Sequence, residues 1–222
     1  MDKLKLFASI LVFGSLWGFS ECIIGSILHN ANLPAGAIMT GVFAIGLMTF
    51  SRILFNQRGM QVGMGLVAGT LRLFNPFGGC FICSAIAIMA EGALFELIWI
   101  KMSSNLIELK KVSYQASMGI TTAYIVYVGG YITTQILTPI FSSAGFYLEN
   151  LIVFIPNILS SGFLAAIIGA VVIPVLISVN KLEFKIKDKL YYPATLGISA
   201  ICWFFFPLMI NPRISSSRFV RP

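Results

Sequence analysis

The chain has 222 residues, of which 58% are hydrophobic and 10% charged, with a mean hydropathy of +0.91. Soluble domains average about 45–50% apolar and about 25% charged residues, so these values exclude a soluble enzyme, a nucleic-acid-binding module and a disordered chain. The net charge of +7 does not reverse this, because Lys and Arg fall in small clusters between apolar runs, the pattern that orients membrane proteins.

Spanning helices need roughly 20 mainly apolar residues each, and seven apolar runs follow one another along the chain. The first, 4–28, begins within Met1-Asp2-Lys3-Leu4-Lys5, a start that imitates a signal peptide. It continues through Glu21 with no small-x-small cleavage site, which predicts a retained first helix. Asn30, Asn32 and Pro34 then form a break before the second run, 35–55. The third, 60–74, is short for a full span and is expected to tilt little or to end inside the bilayer against its neighbours. Asn75-Pro76-Phe77-Gly78-Gly79 separates it from the fourth, 80–102. The fifth covers 112–140. The sixth, 151–180, carries Pro156 and is expected to begin as an interfacial helix, and the seventh covers 191–211. The fold predicted is all-α: one polytopic membrane bundle over 1–222, with six to seven transmembrane helices.

The cations alternate between the gaps. The N-terminus holds Lys3 and Lys5, Arg52 and Arg58 lie at the second gap, and Lys101, Lys110 and Lys111 at the fourth. Lys181, Lys185, Lys187 and Lys189 lie at the sixth, whereas the first, third and fifth gaps hold no Lys or Arg. The positive-inside rule then places the N-terminus in the cytoplasm. A seventh crossing would put Arg213, Arg218 and Arg221 outside, so the last run either crosses as an exception or does not cross.

Small residues recur at helical spacing at Gly14 and Gly18, at Gly65 and Gly69, and at Gly162, Ala166 and Ala170. Such stripes let helix backbones approach closely in lipid. Against this background the intramembrane charges Glu21, Arg72, Glu91 and Glu96 are costly and mark functional candidates. Glu21 shares a helix face with Gly14, Gly18, Gly25 and His29, so it is expected to point into the bundle. Glu91 shares a face with Ser84 and Ile88, while Glu96 lies about 140° away around the helix. His29, Asn30, Asn32, Arg72, Asn75 and Asn157 gather at the same depth, the outer end, as the polar groups of an outward-opening pocket. The bland reading is that Arg72 pairs with Glu21 or Glu91 to neutralise a buried charge.

Cys80-Phe81-Ile82-Cys83 has dithiol spacing and is a weak candidate for metal or redox chemistry, since Cys also serves as a small apolar residue in membrane helices. The motifs GxxxxGK[ST], HExxH and GxSxG do not occur. No cofactor is implied.

The sixth run, Phe154-Ile155-Pro156-Asn157-Ile158-Leu159-Ser160 followed by Ala165-Ala166 and a basic gap, resembles the last helix of the substrate-binding S components of energy-coupling factor (ECF) transporters. The small-residue face of the first run resembles that family's first helix, with Ala8, Gly14 and Gly18 at the matching positions, although Ala8 is followed at four by Val12. The resemblance covers about 4–180, and the seventh run departs from the family's six-helix pattern. It implies a plasma-membrane protein of a bacterium or archaeon that binds a vitamin-like micronutrient near its outer face. It further implies a membrane coupling subunit, docked at Ala8, Gly14 and Gly18, and separate ABC-type ATPases as partners. On that reading Arg72 attracts an anionic group of a polar or zwitterionic solute, and Glu21 or Glu91 a cationic one. Other readings stand beside it: a proton-coupled secondary transporter using Glu21 or Glu91, a thiol oxidoreductase using Cys80 and Cys83, an acid–base hydrolase using Glu91, and an assembly subunit whose polar residues simply pair.

Overall fold

Apolar runs of this length close their backbone hydrogen bonds within each segment, because lipid offers none. The structure, a computed structural model, describes residues 3–74, 81–100, 111–141, 148–179 and 188–210. Within them the chain forms seven helices and, among the described residues, no strand. They are α1 (Lys3–Asn30), α2 (Ala35–Phe55), α3 (Met60–Leu73), α4 (Phe81–Trp99), α5 (Val112–Phe141), α6 (Leu148–Val179) and α7 (Asp188–Ile210). The fold is an all-α bundle. Lys3–Asn30, Ala35–Phe55, Ile82–Trp99 and Val153–Val179 are long and apolar enough to cross a membrane.

Neighbouring contacts set the direction of each helix. Gly14 of α1 lies against Met64 and Val67 of α3, and Gly18 against Ala68 and Leu71, so α1 and α3 run parallel. Gly65 of α3 meets Ile88 and Gly92 of α4, and Gly69 meets Ala85 and Met89, an antiparallel pair. Leu94 meets Gly129, and Trp99 Nε1 donates to Thr122 Oγ1 at 3.1 Å, so α5 reverses α4. Gly119 touches Gly169 and Gly162 touches Tyr124 and Val128, so α6 reverses α5. Gly41 and Gly46 of α2 face Ile168 and Val172 of α6 in parallel.

The last helix completes the alternation. Tyr191 shares a hydrogen bond with Ser9 and lies under Lys5 Nζ, while Trp203 Nε1 donates to Ser15 Oγ at 3.1 Å. Helix α7 therefore runs parallel to α1 and packs along it as a full member of the bundle. The N-terminal end of α1, the α2–α3 connection and the starts of α5 and α7 share one end, here termed the basic end for Lys3, Lys5, Arg58 and Lys111.

Two expectations change. The sixth run is one continuous helix through both Pro156 and Pro174, without a separate interfacial segment. A proline removes one backbone donor, a loss that membrane helices tolerate where neighbours compensate. Second, Arg52 is not a cation of a connecting segment. It lies inside α2, 1% exposed, and Nη1 bonds Glu96 Oε1 at 3.1 Å, Gln57 O at 2.8 Å and Gln61 Oε1 at 3.3 Å.

Helix α3 explains that arrangement. At 14 residues it is only about 21 Å long, shorter than the roughly 30 Å hydrocarbon core, and its first residues, Met60 and Gln61, are buried directly after the exposed Arg58 and Gly59. The Glu96 carboxylate accepts Gly59 N–H at 2.9 Å and Gln61 N–H at 3.3 Å there. An anion from a different helix thus caps the α3 terminus and its positive dipole end. Gly59 turns the chain with φ 79°, a conformation glycine adopts without strain.

Candidate functional site

Toward the opposite end, four helices leave a cavity of about 240 Å³. It is lined by Glu21 of α1, Gly36 and Thr40 of α2, Ser84, Ala87, Ile88 and Glu91 of α4, and Tyr127, Gly130, Tyr131, Thr134 and Gln135 of α5. Gly36, in the first turn of α2, and Tyr131, 41% exposed, carry the cavity to the surface of the bundle.

Glu91 is its central group. The residue is 9% exposed; Oε1 accepts Thr40 Oγ1–H at 3.2 Å, and the buried Oε2 has no hydrogen-bond partner. Thr40 reaches it because residues Met39–Ala44 form a π-helical turn within α2. Such turns sit disproportionately at functional sites, since one extra residue re-aims the side chains around it. Gly130 makes room on the other side: a Cβ there would lie 2.8 Å from both Cγ and Oε1 of Glu91. Gly130→Ala is accordingly expected to cost about 1–3 kcal/mol by overpacking, with most of it restored in Glu91→Ala/Gly130→Ala. A thermal-unfolding double-mutant cycle reads that coupling.

Glu21, partly buried, accepts Trp17 Nε1–H at 3.4 Å, a long bond that leaves the carboxylate weakly held. Glu21 and Glu91 are close enough for their charges to act on each other. The Arg72 guanidinium acts on Glu21 from outside the lining, and its Nε donates to Ser84 Oγ at 3.1 Å. Tyr127 and Tyr131, one turn apart on α5, set their rings 5.7 Å apart on one wall.

Of the residues expected to bind solute, Glu21 and Glu91 line the cavity together and Arg72 stands at its edge. His29, Asn30 and Asn32 are exposed beyond the end of the site, where Asn32 turns the α1–α2 connection with φ 55°. Asn157 is exposed on α6 and is not part of the lining. Asn75 and Cys80 lie outside the described residues. The face chosen for partner docking is used within the chain: Ala8 is buried, and Gly14 and Gly18 carry α3 so closely that a Cβ would meet it at 2.7–2.9 Å. A partner helix has no room there.

Thr40, Tyr127, Tyr131, Thr134 and Gln135 are lining residues that sequence reasoning passed over. Four of them had a signal: Tyr127, Tyr131, Thr134 and Gln135 recur at i, i+4, i+7 and i+8, one polar stripe on an apolar helix. Cys83 is fully buried and disulfide-bonded, and Cys22 and Cys202 are buried cysteines. Buried sulfur is poorly placed for exchange with an external thiol. Among the described residues no group of three or more His, Cys, Asp or Glu side chains is arranged to hold a metal ion. No protein family, curated protein or solved structure matches this chain.

Proposed function

We propose that the protein is the substrate-binding membrane subunit of an uptake system, taking a small polar solute into this cavity from the outer face. The observation that carries the reading is the cavity itself, with two carboxylates, tyrosines and threonines set among apolar walls, the composition of a ligand site. It reaches the surface at Gly36, beside a connection that holds no Lys or Arg. By the positive-inside rule that end faces outward and the basic end faces the cytoplasm. No P-loop motif occurs in the 222 residues, so on this reading separate ATPases and a membrane coupling subunit supply the energy. The S components of ECF transporters work on that division of labour. With Gly14 and Gly18 occupied inside the bundle, the exposed stripe Leu159, Phe163, Ile167, Val171 and Val175 on α6 is left to lipid or to the coupling subunit.

One observation favours a second reading. An unpartnered buried carboxylate beside another acid is also what a proton site requires, which would suit a stand-alone proton-coupled transporter. Purification of the tagged protein from its native membrane in mild detergent, with mass spectrometry, separates the two. Two P-loop ATPases together with one membrane coupling protein are the expected companions. A partner-free protein that takes up solute into liposomes on a proton gradient alone would overturn the subunit reading.

A further inference from the structure

The charges around the cavity do not balance. Glu21 and Glu91 bring two carboxylates to the cavity, whereas among the described residues no Lys or Arg lines it, and Arg72 stands at its edge, holding Ser84. Glu91, nine-tenths buried, keeps Oε2 without a hydrogen-bond partner, while Thr40 supplies a single donor to Oε1. A buried carboxylate is stable as an ion only beside an opposite charge. To carry a charge, Glu91 therefore needs a cation in the cavity, and Tyr127 and Tyr131 line that same cavity. Aromatic rings attract cations over their faces. A metal ion is a poor fit, since a hard divalent cation takes six to eight oxygen ligands and the described residues hold no group of three metal-binding side chains.

Resting on the solute-binding reading above, we infer that the cavity selects a small organic monocation, an amine or quaternary ammonium, with Glu91 as counter-ion and Tyr127 and Tyr131 as its aromatic wall. A cavity of about 240 Å³ has room for a compact ammonium compound. Arg72 then opposes the ligand by its charge. This reverses the expectation drawn from the sequence, in which Arg72 holds an anionic group of the solute.

The test is thermal unfolding of the purified chain in nanodiscs at constant sodium chloride. The probes are tetramethylammonium, propylammonium and benzylammonium, set against tert-butanol, benzyl alcohol and benzoate. Only the ammonium probes are expected to raise Tm. That rise should disappear in Glu91→Gln and weaken several-fold in concentration dependence in Tyr131→Leu, whose partly exposed site tolerates the change. In Arg72→Gln the probes should act at about tenfold lower concentration, because a nearby like charge is gone. If Glu91→Gln does not fold, the opposite responses of Tyr131→Leu and Arg72→Gln decide. Equal stabilisation by benzoate or the alcohols, or loss of ammonium binding in Arg72→Gln, overturns the monocation assignment and leaves solute binding standing. No shift with any probe also overturns it, and co-purification with ATPases and a coupling protein then judges the subunit reading separately.

Discussion

Glu96→Ala is expected to destabilise the bundle by about 3–5 kcal/mol, the usual cost of removing one partner from a buried ion pair. It strands the Arg52 guanidinium, whose Nε and Nη2 already lack partners. It also uncaps Gly59 N–H and Gln61 N–H at the start of α3. Arg52→Met is the milder change, because Glu96 keeps both backbone donors and Met fills much of the same volume. Glu96→Gln should fall between them, since an amide oxygen still accepts a backbone N–H but leaves the cation unpaired. Thermal unfolding in detergent with a check of monodispersity gives the ranking. If Arg52→Met is worse than Glu96→Ala, capping is not what Glu96 does.

Gly119→Val should prevent α5 and α6 from closing. A Cβ on Gly119 would lie 2.1 Å from Gly169 O, and one on Gly169 would lie 2.5 Å from Ala123 Cβ and from Gly119 O. The obstacles include backbone, so no side-chain rotation relieves them and the helices must separate. Overpacking of yielding cores costs about 1–3 kcal/mol; this contact should exceed the upper figure. In lipid the loss is felt fully, because close approach and dispersion hold helices together where no hydrophobic effect acts between them. Gly197→Ala on α7 is the matched control, with nothing within 4 Å of its Cβ. That variant should match or slightly exceed the parent, as alanine favours a helix over glycine by about 1 kcal/mol. Equal Tm values for the two variants would remove the glycine contact from the account of stability.

What the residues announce in advance differs with the physics behind each element. The helices were legible because hydropathy is a property of each run alone. Glu21 and Glu91 were legible for a related reason, since a carboxylate in an apolar run is costly wherever the helix goes. Arg52 was misread because a cation near the end of an apolar run looks the same whether it meets water or a buried acid. Its partner lies 44 positions away, and no local pattern links Arg52 to Glu96. The small-residue face of α1 was visible, but its spacing does not say which helix it receives. It receives α3 of the same chain. The meeting of Gly119 with Gly169 was equally hidden, since Gly119 stands outside the stripes that drew notice.

Thr40 was beyond reach for a different reason. Its contact with Glu91 depends on the turn at Met39–Ala44, where α2 holds one residue more than an α-helix would. In effect that turn is a one-residue insertion stored inside a helix. Deleting a single residue from 41–44 would return the segment to ordinary winding, with the helix on either side kept in register and the side chains of the turn re-aimed. The second half of α2, with Arg52 and its anchor on Glu96, could stay in place while Thr40 swung off Glu91. Chains descended from a common ancestor could therefore gain or lose this site through one codon, with the scaffold untouched. A one-residue gap in α2, seen in an alignment of related chains, would be the trace of that change.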